Sequence, residues 1–282
     1  MKTFPLGARA VNRYDLYELC VQSPDAEARF IEAVHAGRAE HAPRVLAEDF
    51  AGPCSVARAW VAQDPHRRAI CTDLDEEPLA HARARAAADL GPAAAARITF
   101  RAADVRDPRT READAVAALN FAVCELLDRA QLLRYLRAVR ARLHPGGVFV
   151  ADLYAGPNAF MTGEKDRIIE TDAGEITYTW EQREADPLTG RVTNAMHFTL
   201  PGGDSVRDAF LYRWRLWSVP ELRDALREAG FASTEVHLSY GDAVDDEGRL
   251  YASPASDDRT PGETADDERL DDDFIALIVA RA

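Results

Sequence analysis

The fold is decided by residues 44–75, which read RVLAEDFAGPCSVARAWVAQDPHRRAICTDLD. The opening residues predict a short buried strand, and the Ala-Gly-Pro that follows them is typical of a tight turn. Apolar residues then recur at helical spacing over 55–63, and a second apolar strand stops at Asp73. This order of strand, turn, helix and strand predicts one half of an open parallel sheet.

The position of Asp73 predicts what the sheet binds. In an open parallel sheet, ligands lie outside the carboxyl ends of the strands. The helix that begins near Ser55 offers free backbone N–H groups at this edge, and an acid that ends the second strand can accept both hydroxyls of a ribose. We therefore expect a ligand that contains a nucleoside.

Length and charge limit the classes of protein that the chain can belong to. Its 282 residues fit one large domain or a domain with an inserted cap, and its hydrophobic content of 47% is enough for a sizeable core. The net charge of −14 argues against a nucleic-acid partner, because binding to polyphosphate depends mainly on Lys and Arg.

Cysteine usage and the N-terminal stretch predict a cytoplasmic protein. The four cysteines lie far apart without metal-binding spacing, so we expect reduced thiols and no metal. The N-terminal residues lack the apolar segment of a signal peptide, and no apolar run reaches the ~18 residues of a membrane span. We expect no membrane partner, and the sequence leaves a homodimer open.

Four segments follow one another along the chain. Two helices over 1–43 predict an N-terminal helical lid, and 44–160 alternates five strands with helices. The apolar residues alternate within 161–217, which predicts an antiparallel β cap of three strands. Residues 218–282 add two strands to the sheet and contain an acidic loop over 241–273. The predicted fold class is α/β, with a doubly wound, mostly parallel seven-stranded sheet and a small antiparallel β cap insertion.

Five stretches resemble, in order, the motifs of the class I S-adenosylmethionine-dependent methyltransferases. They are EDFAGPC, CTDLDEEPLAHARA, RAADVRD, ALNFAVCELL and LHPGGVFVADLY. The alternating segment before YRWRLWSVPELRDALREAGF is similar to the small-molecule members, whose antiparallel cap follows the fifth strand. The resemblance implies a Rossmann-like methyltransferase fold, S-adenosyl-L-methionine as cofactor, and methyl transfer to N or O of a small-molecule acceptor by in-line displacement.

The resemblance also implies roles for single residues, most of them in 44–160, the cofactor-binding core. Asp73 would bind the ribose hydroxyls, and Asp104 would accept from the adenine amino group. Glu48 would orient the amino group of the methionine portion, and Asp49 competes with it for this role. The other implied cofactor residues are Phe50, Ala51, Gly52, Leu74, Val105, Asn120, Phe121 and Tyr14. The family pattern has glycine where Phe50 and Cys54 stand, so side chains there narrow the room for the cofactor's carboxylate end.

The acceptor side is less specified by the sequence. Tyr17 shares a helix face with Tyr14, which is either a packing face or a contact with the ligand. Tyr154 lies just past the fifth strand, where an acceptor would sit. Three cap residues complete the substrate-lining candidates: His197, Arg213 and Trp214. No catalytic base can be named from the sequence.

Two competing functions stay open. The altered first motif is compatible with a noncatalytic protein that binds S-adenosylmethionine or acts as a scaffold. A nicotinamide-dependent oxidoreductase would also use such a sheet, but it would carry G-x-G-x-x-G after the first strand, where this turn has only Gly52.

Overall fold

The computed structural model describes residues 2–7, 9–36, 41–107, 110–240, 254–255 and 272–282. Most of the acidic loop predicted over 241–273 lies outside these residues. The chain divides into two compact units. We call Met1–Ser23, Cys124–Leu127 and Phe160–Leu216 the antiparallel unit, and Pro24–Val123, Asp128–Ala159 and Trp217–Ala282 the parallel-sheet unit.

Within the described ranges the chain forms thirteen strands and six α-helices. The strands are β1 (Thr3–Leu6), β2 (Arg9–Asn12), β3 (Val45–Asp49), β4 (Arg68–Asp73), β5 (Ile98–Ala102), β6 (Ala113–Ala118), β7 (Leu143–Ala155), β8 (Gly163–Thr171), β9 (Gly174–Asp186), β10 (Arg191–Thr199), β11 (Ser205–Arg215), β12 (Ser233–His237) and β13 (Phe274–Arg281). The helices are α1 (Arg13–Val21), α2 (Pro24–Ala36), α3 (Ser55–Gln63), α4 (Glu76–Ala95), α5 (Arg129–Arg142) and α6 (Val219–Ala229).

The parallel-sheet unit is built on a seven-stranded sheet in the order β12-β13-β7-β6-β3-β4-β5. Strands β3 to β7 run parallel, and β13 is antiparallel to both of its neighbours. The strand order reverses between β3 and β6, because the chain builds outward from β3 in one direction and then returns to the other side. The predicted fold class, including the antiparallel insertion, is confirmed.

Helix α2 belongs to the parallel-sheet unit, which differs from the prediction of one N-terminal lid over 1–43. Its apolar side chains Phe30, Ile31 and Val34 are buried in the same cluster as Trp60 of α3. The apolar stripe of α2 is therefore buried against the main core, whereas α1 belongs to the antiparallel unit.

The antiparallel unit contains a four-stranded sheet in the order β11-β10-β9-β8 and the hairpin of β1 and β2. The predicted cap of three strands was therefore one strand short. Strand β8 is an edge strand with mostly exposed polar side chains, so its sequence shows no alternation of apolar residues. Leu16 of α1 and Phe198 of β10 are fully buried in this unit's own apolar core. No helix of the described part of the chain is long and apolar enough to cross a membrane.

A buried ion pair ties the end of β3 to helix α5. Arg142 Nη1 donates to Asp49 Oδ1 at 3.0 Å, and its Nη2 pairs with Asp49 Oδ2. The Tyr135 hydroxyl donates to Asp49 Oδ2 at 2.9 Å. Burial alone would lower the pKa of Arg142, but the Asp49 carboxylate raises it, so the guanidinium stays charged. Neither side chain of the pair is exposed to solvent.

We expect Asp49→Asn to lower the free energy of unfolding by about 3–5 kcal/mol, because it leaves the buried Arg142 charge without a partner. Urea unfolding followed by circular dichroism measures this change. The matched control is Glu228→Gln, which removes a solvent-exposed pair with Arg129 and should change stability little. Equal unfolding midpoints for Asp49→Asn and the wild type would contradict this role of the buried pair.

Candidate functional site

The predicted cofactor residues of the parallel-sheet unit lie at the carboxyl edge of its sheet. Strand β3 leads into Phe50, β4 ends at Asp73, and Asp104 follows β5 by two residues. Asn120 follows β6 in the same way. Because these four strands are parallel, their carboxyl ends meet at one edge, beside the point where strand order reverses.

The first turn keeps a glycine-like backbone without the glycines. Phe50 and Cys54 have φ values of 51° and 55°, in the left-handed region that glycine enters freely and other residues rarely do. Cys54 is fully buried, and the Phe50 ring packs edge-on against Tyr135 at 5.3 Å. Between them, a Cβ built on Gly52 would meet no heavy atom within 4 Å. The side chains of Phe50 and Cys54 therefore leave open space at Gly52, which lies between them.

Asp73 connects this turn to the end of β4 by hydrogen bonds. Its Oδ2 accepts from the Gly52 N–H at 2.8 Å, and its Oδ1 accepts from the Asp75 N–H at 2.9 Å. Burial raises the pKa of Asp73, and the two backbone donors work in the opposite direction. Each carboxylate oxygen keeps a lone pair that a hydroxyl could use. Beside it, the Leu74 side chain is 75% exposed, which suits an apolar residue that packs against a bound ring.

Glu48 and Asp49 divide two tasks that the sequence could not separate. Successive residues of a strand point to opposite faces, so Asp49 faces α5 while Glu48 faces α3. Glu48 Oε2 accepts from the Ala57 N–H at 2.8 Å, in the first turn of α3. The N-cap residue Cys54 makes no side-chain cap, so the Glu48 carboxylate takes over that role. Burial raises the pKa of Glu48 to about 8.

Asp104 and Val105 lie after β5, as the third motif implies. Arg106 Nε donates to Asp104 Oδ1 at 2.8 Å, and Arg106 Nη2 donates to Asp104 Oδ2 at 2.7 Å. This hydrogen bonding lowers the pKa of Asp104 to about 2, so the carboxylate is ionised. Val105 is buried. An adenine amino group would therefore have to share the Asp104 oxygens with Arg106.

The turn after β6 depends on an acid that the sequence did not reveal. Asn120 and Phe121 have φ values of 59° and 63°, and both of their N–H groups donate to Asp152. Asp152 lies near the carboxyl end of β7 and is 3% exposed. Burial raises the pKa of Asp152 to about 7. A single acid in a strand gives no periodic signal, and only its place beside β6 could have indicated this role.

Tyr154 lies two residues beyond Asp152 on β7. Its ring is 6.2 Å from the Phe121 ring, and its hydroxyl donates to Asp273 Oδ2 at 3.5 Å. Burial raises the pKa of Tyr154. This predicted acceptor residue is thus brought next to the predicted cofactor residue Phe121.

The remaining predicted site residues belong to the antiparallel unit. Tyr14 and Tyr17 are buried and pack on Phe210, with ring centroids 5.8 and 5.2 Å from its own. Trp214 is buried and Arg213 is exposed on the opposite face of β11.

His197, a predicted substrate-lining residue, is buried within a network of charged groups. Its Nδ1 accepts from the Asp208 N–H at 2.9 Å, so its Nε2 carries the proton that Glu181 Oε2 accepts at 2.8 Å. Ligand atoms of Glu164, Glu181 and His197 lie within 4.8 Å of one another. Arg183 pairs with Glu181, so this group of residues has a structural explanation without an ion.

A family model described as a methyltransferase domain matches residues 50–147. The matched range contains Gly52, Asp73, Asp104 and the turn at Asn120 and Phe121, but not Glu48 or Asp152. None of the curated proteins compared with the chain matches it.

Several solved structures share the fold. The sugar N-methyltransferase KedS8 from a Streptoalloteichus species is 20% identical, with a TM-score of 0.64 over 100% of this chain and 97% of that chain. DesVI from Streptomyces venezuelae is 20% identical, with a TM-score of 0.66 over 95% of each chain. CalS10 from Micromonospora echinaspora, an amino pentose methyltransferase solved with S-adenosylmethionine, is 18% identical, with a TM-score of 0.63 over 95% of each chain.

The matched domain and the shared fold agree with the motifs at the sheet edge. Residues 50–147 match a methyltransferase domain, and the whole chain shares the fold of solved methyltransferases that use S-adenosylmethionine. Both findings support the family that the five sequence motifs indicate, and S-adenosylmethionine as its cofactor.

Glu48 makes the stability of the fold depend on pH. Its folded-state pKa of about 8 exceeds its ordinary value of 4.5, so the folded protein keeps a proton that the unfolded chain has released. Stability is therefore lost as the pH rises through this window. The free energy of unfolding of the wild type should decline between about pH 5 and pH 8. We expect Glu48→Gln to reduce this decline by a few kcal/mol, since one pKa unit corresponds to about 1.4 kcal/mol.

Chemical denaturation at several pH values measures the slope. Glu77→Gln, at an exposed position in the first turn of α4, is the matched control and should keep the wild-type slope. A Glu48→Gln slope equal to that of the wild type would show that Glu48 is already ionised at pH 5.

Proposed function

We propose that this methyltransferase transfers the methyl group to a nitrogen or oxygen of a small-molecule acceptor, and that the acceptor is a sugar-like amine. KedS8 is named as a sugar N-methyltransferase and CalS10 as an amino pentose methyltransferase, and both span nearly the same length as this chain.

The cofactor residues of this proposal are those that the structure brings to the carboxyl edge. Asp73 would hold the ribose hydroxyls, Leu74 would pack against the adenine ring, and Asp104 would accept from its amino group. The open position at Gly52 would admit the methionine portion. The observation that carries this proposal is the contact of Asp73 with the Gly52 N–H, which places the nucleoside acid and the open turn side by side.

For methyl transfer, the protein mainly has to position the two reactants. When bound, S-adenosylmethionine supplies a methyl group on a sulfonium that is already activated for displacement. The chain's residues must align the acceptor with that methyl group and exclude water. An amine that arrives neutral needs no general base, whereas a hydroxyl acceptor needs one more often. Tyr154, with its ring next to Phe121, would line the acceptor side.

Calorimetric titration with S-adenosylmethionine, S-adenosylhomocysteine and NADH tests the cofactor site. We expect binding of the first two alone. Asp73→Ala should weaken that binding by roughly 2–4 kcal/mol, because two hydrogen bonds to a charged group are lost and couple non-additively. An unchanged dissociation constant would remove Asp73 from the site.

The matched control for Asp73→Ala is Asp64→Ala. Asp64 precedes the amino end of the same strand and accepts from a backbone N–H of its own loop, at the His66 amide. Its replacement should leave the affinity for S-adenosylhomocysteine unchanged. Cofactor binding without turnover of any acceptor would favour the noncatalytic alternative.

The acceptor proposal predicts a separate effect at Tyr154. Methyl transfer would be screened against hexosamines and pentosamines, with their hydroxyl counterparts, by following S-adenosylhomocysteine formation. With an active acceptor, Tyr154→Ala should raise the acceptor KM about tenfold, as expected for the loss of an aromatic contact of ~1–2 kcal/mol. Leu211→Ala, at a position of β11 that is 51% exposed, is the control. Equal KM values for both variants would place the acceptor elsewhere.

A further inference from the structure

We propose that Asp152 is a positioning residue, which holds the turn at Asn120 and Phe121 in the shape that the cofactor site requires. The inference rests on the proposed cofactor site, because Asn120 and Phe121 act there only if the cofactor lies at the carboxyl edge. Asp152 itself lies outside the matched domain.

The geometry is that of one carboxylate shared between two successive amides. Asp152 Oδ2 accepts from the Asn120 N–H at 3.0 Å, and Oδ1 accepts from the Phe121 N–H at 2.7 Å. Two consecutive N–H groups that point to one side form a concavity that binds an anion, and here the anion is supplied by the chain.

The backbone of this turn needs such support. Asparagine tolerates a positive φ through local hydrogen bonding, but a bulky residue such as phenylalanine does so rarely. Both residues stand in the left-handed region, at φ values of 59° and 63°. Without the carboxylate, the turn would relax toward ordinary dihedral angles, and the Phe121 ring and Asn120 amide would leave their positions at the sheet edge.

The location of Asp152 makes it a rigid support. It is 3% exposed and stands in register with Leu277 of β13, inside the ladder of β7 and β13. The phenol that faces it belongs to Tyr240, whose pKa is raised by burial and further by the Asp152 charge. The carboxylate is thus fixed by a central strand, while the turn that it holds lies outside the strands.

The chain supplies a matched control in Asp114. This buried carboxylate also accepts two successive backbone N–H groups, those of Arg44 at 2.8 Å and Val45 at 2.9 Å. It lies at the amino end of β6, on the opposite edge of the same sheet from the proposed cofactor site. Asp114→Asn therefore removes the same kind of interaction without touching the carboxyl edge.

The test compares Asp152→Asn, Asp114→Asn and the wild type by titration with S-adenosylhomocysteine. We expect Asp152→Asn to weaken binding about tenfold or more, because the competent turn becomes a minor population. Asp114→Asn should bind as the wild type does, although both variants lose stability. Unchanged binding by Asp152→Asn, or equal losses in both variants, would overturn the proposal.

Amide hydrogen exchange of the wild-type protein gives a second readout that needs no variant and no turnover. If Asp152 preorganises the turn, the Asn120 and Phe121 amides are protected before any cofactor is added. Protection that arises only on addition of S-adenosylhomocysteine would overturn the proposal even if Asp152→Asn fails to fold. A wild type with protected amides but no cofactor binding would refute the proposed site and leave the role of Asp152 in the turn intact.

Discussion

The structure depends on backbone N–H groups at the carboxyl edge of the sheet that find their partners in acidic side chains. A turn or helix start that leaves a strand has free amide donors, and leaving them unpaired in a buried place is costly. Here Glu48 accepts a hydrogen bond from an N–H in the first turn of α3, and Asp73 accepts one from the Gly52 N–H of the first turn. Asp152 accepts hydrogen bonds from the turn after β6. The same edge thus gains its shape from three acidic side chains.

This arrangement explains how the first motif can lack two of its glycines. The family's glycines permit left-handed backbone, and in this chain Phe50 and Cys54 adopt it anyway. The turn between them is fixed by Asp73 at Gly52, and the ring of Phe50 rests on Tyr135, which is itself hydrogen-bonded to Asp49. These contacts on both sides of the turn therefore stabilise the unfavourable backbone dihedral angles of Phe50 and Cys54. The first motif thus lacks two glycines and still has left-handed backbone at both positions.

The sequence predicted most of what depends on periodicity and order. The seven strands of the main sheet, the positions of Asp73 and Asp104 after their strands, and the alternating segment all followed from local patterns. What it could not predict depends on tertiary neighbours. The edge strand β8 has no apolar alternation, α2 joins the main core only through packing, and Asp152 acquires its role from a turn 31 residues away. The choice between Glu48 and Asp49 likewise required knowing which helix each face of β3 meets.

The place of β13 in the sheet has a consequence for how the chain folds as it is made. Residues 274–281 are synthesised after every other strand, yet β13 lies between β7 and β12. Until they leave the ribosome, β7 is a hydrophobic edge with unpaired backbone groups, and β12 has no strand to pair with. Such an edge is a template for pairing with another chain. The growing polypeptide is therefore most exposed to aggregation just before its last strand is added, and truncation ahead of residue 274 would make that state permanent.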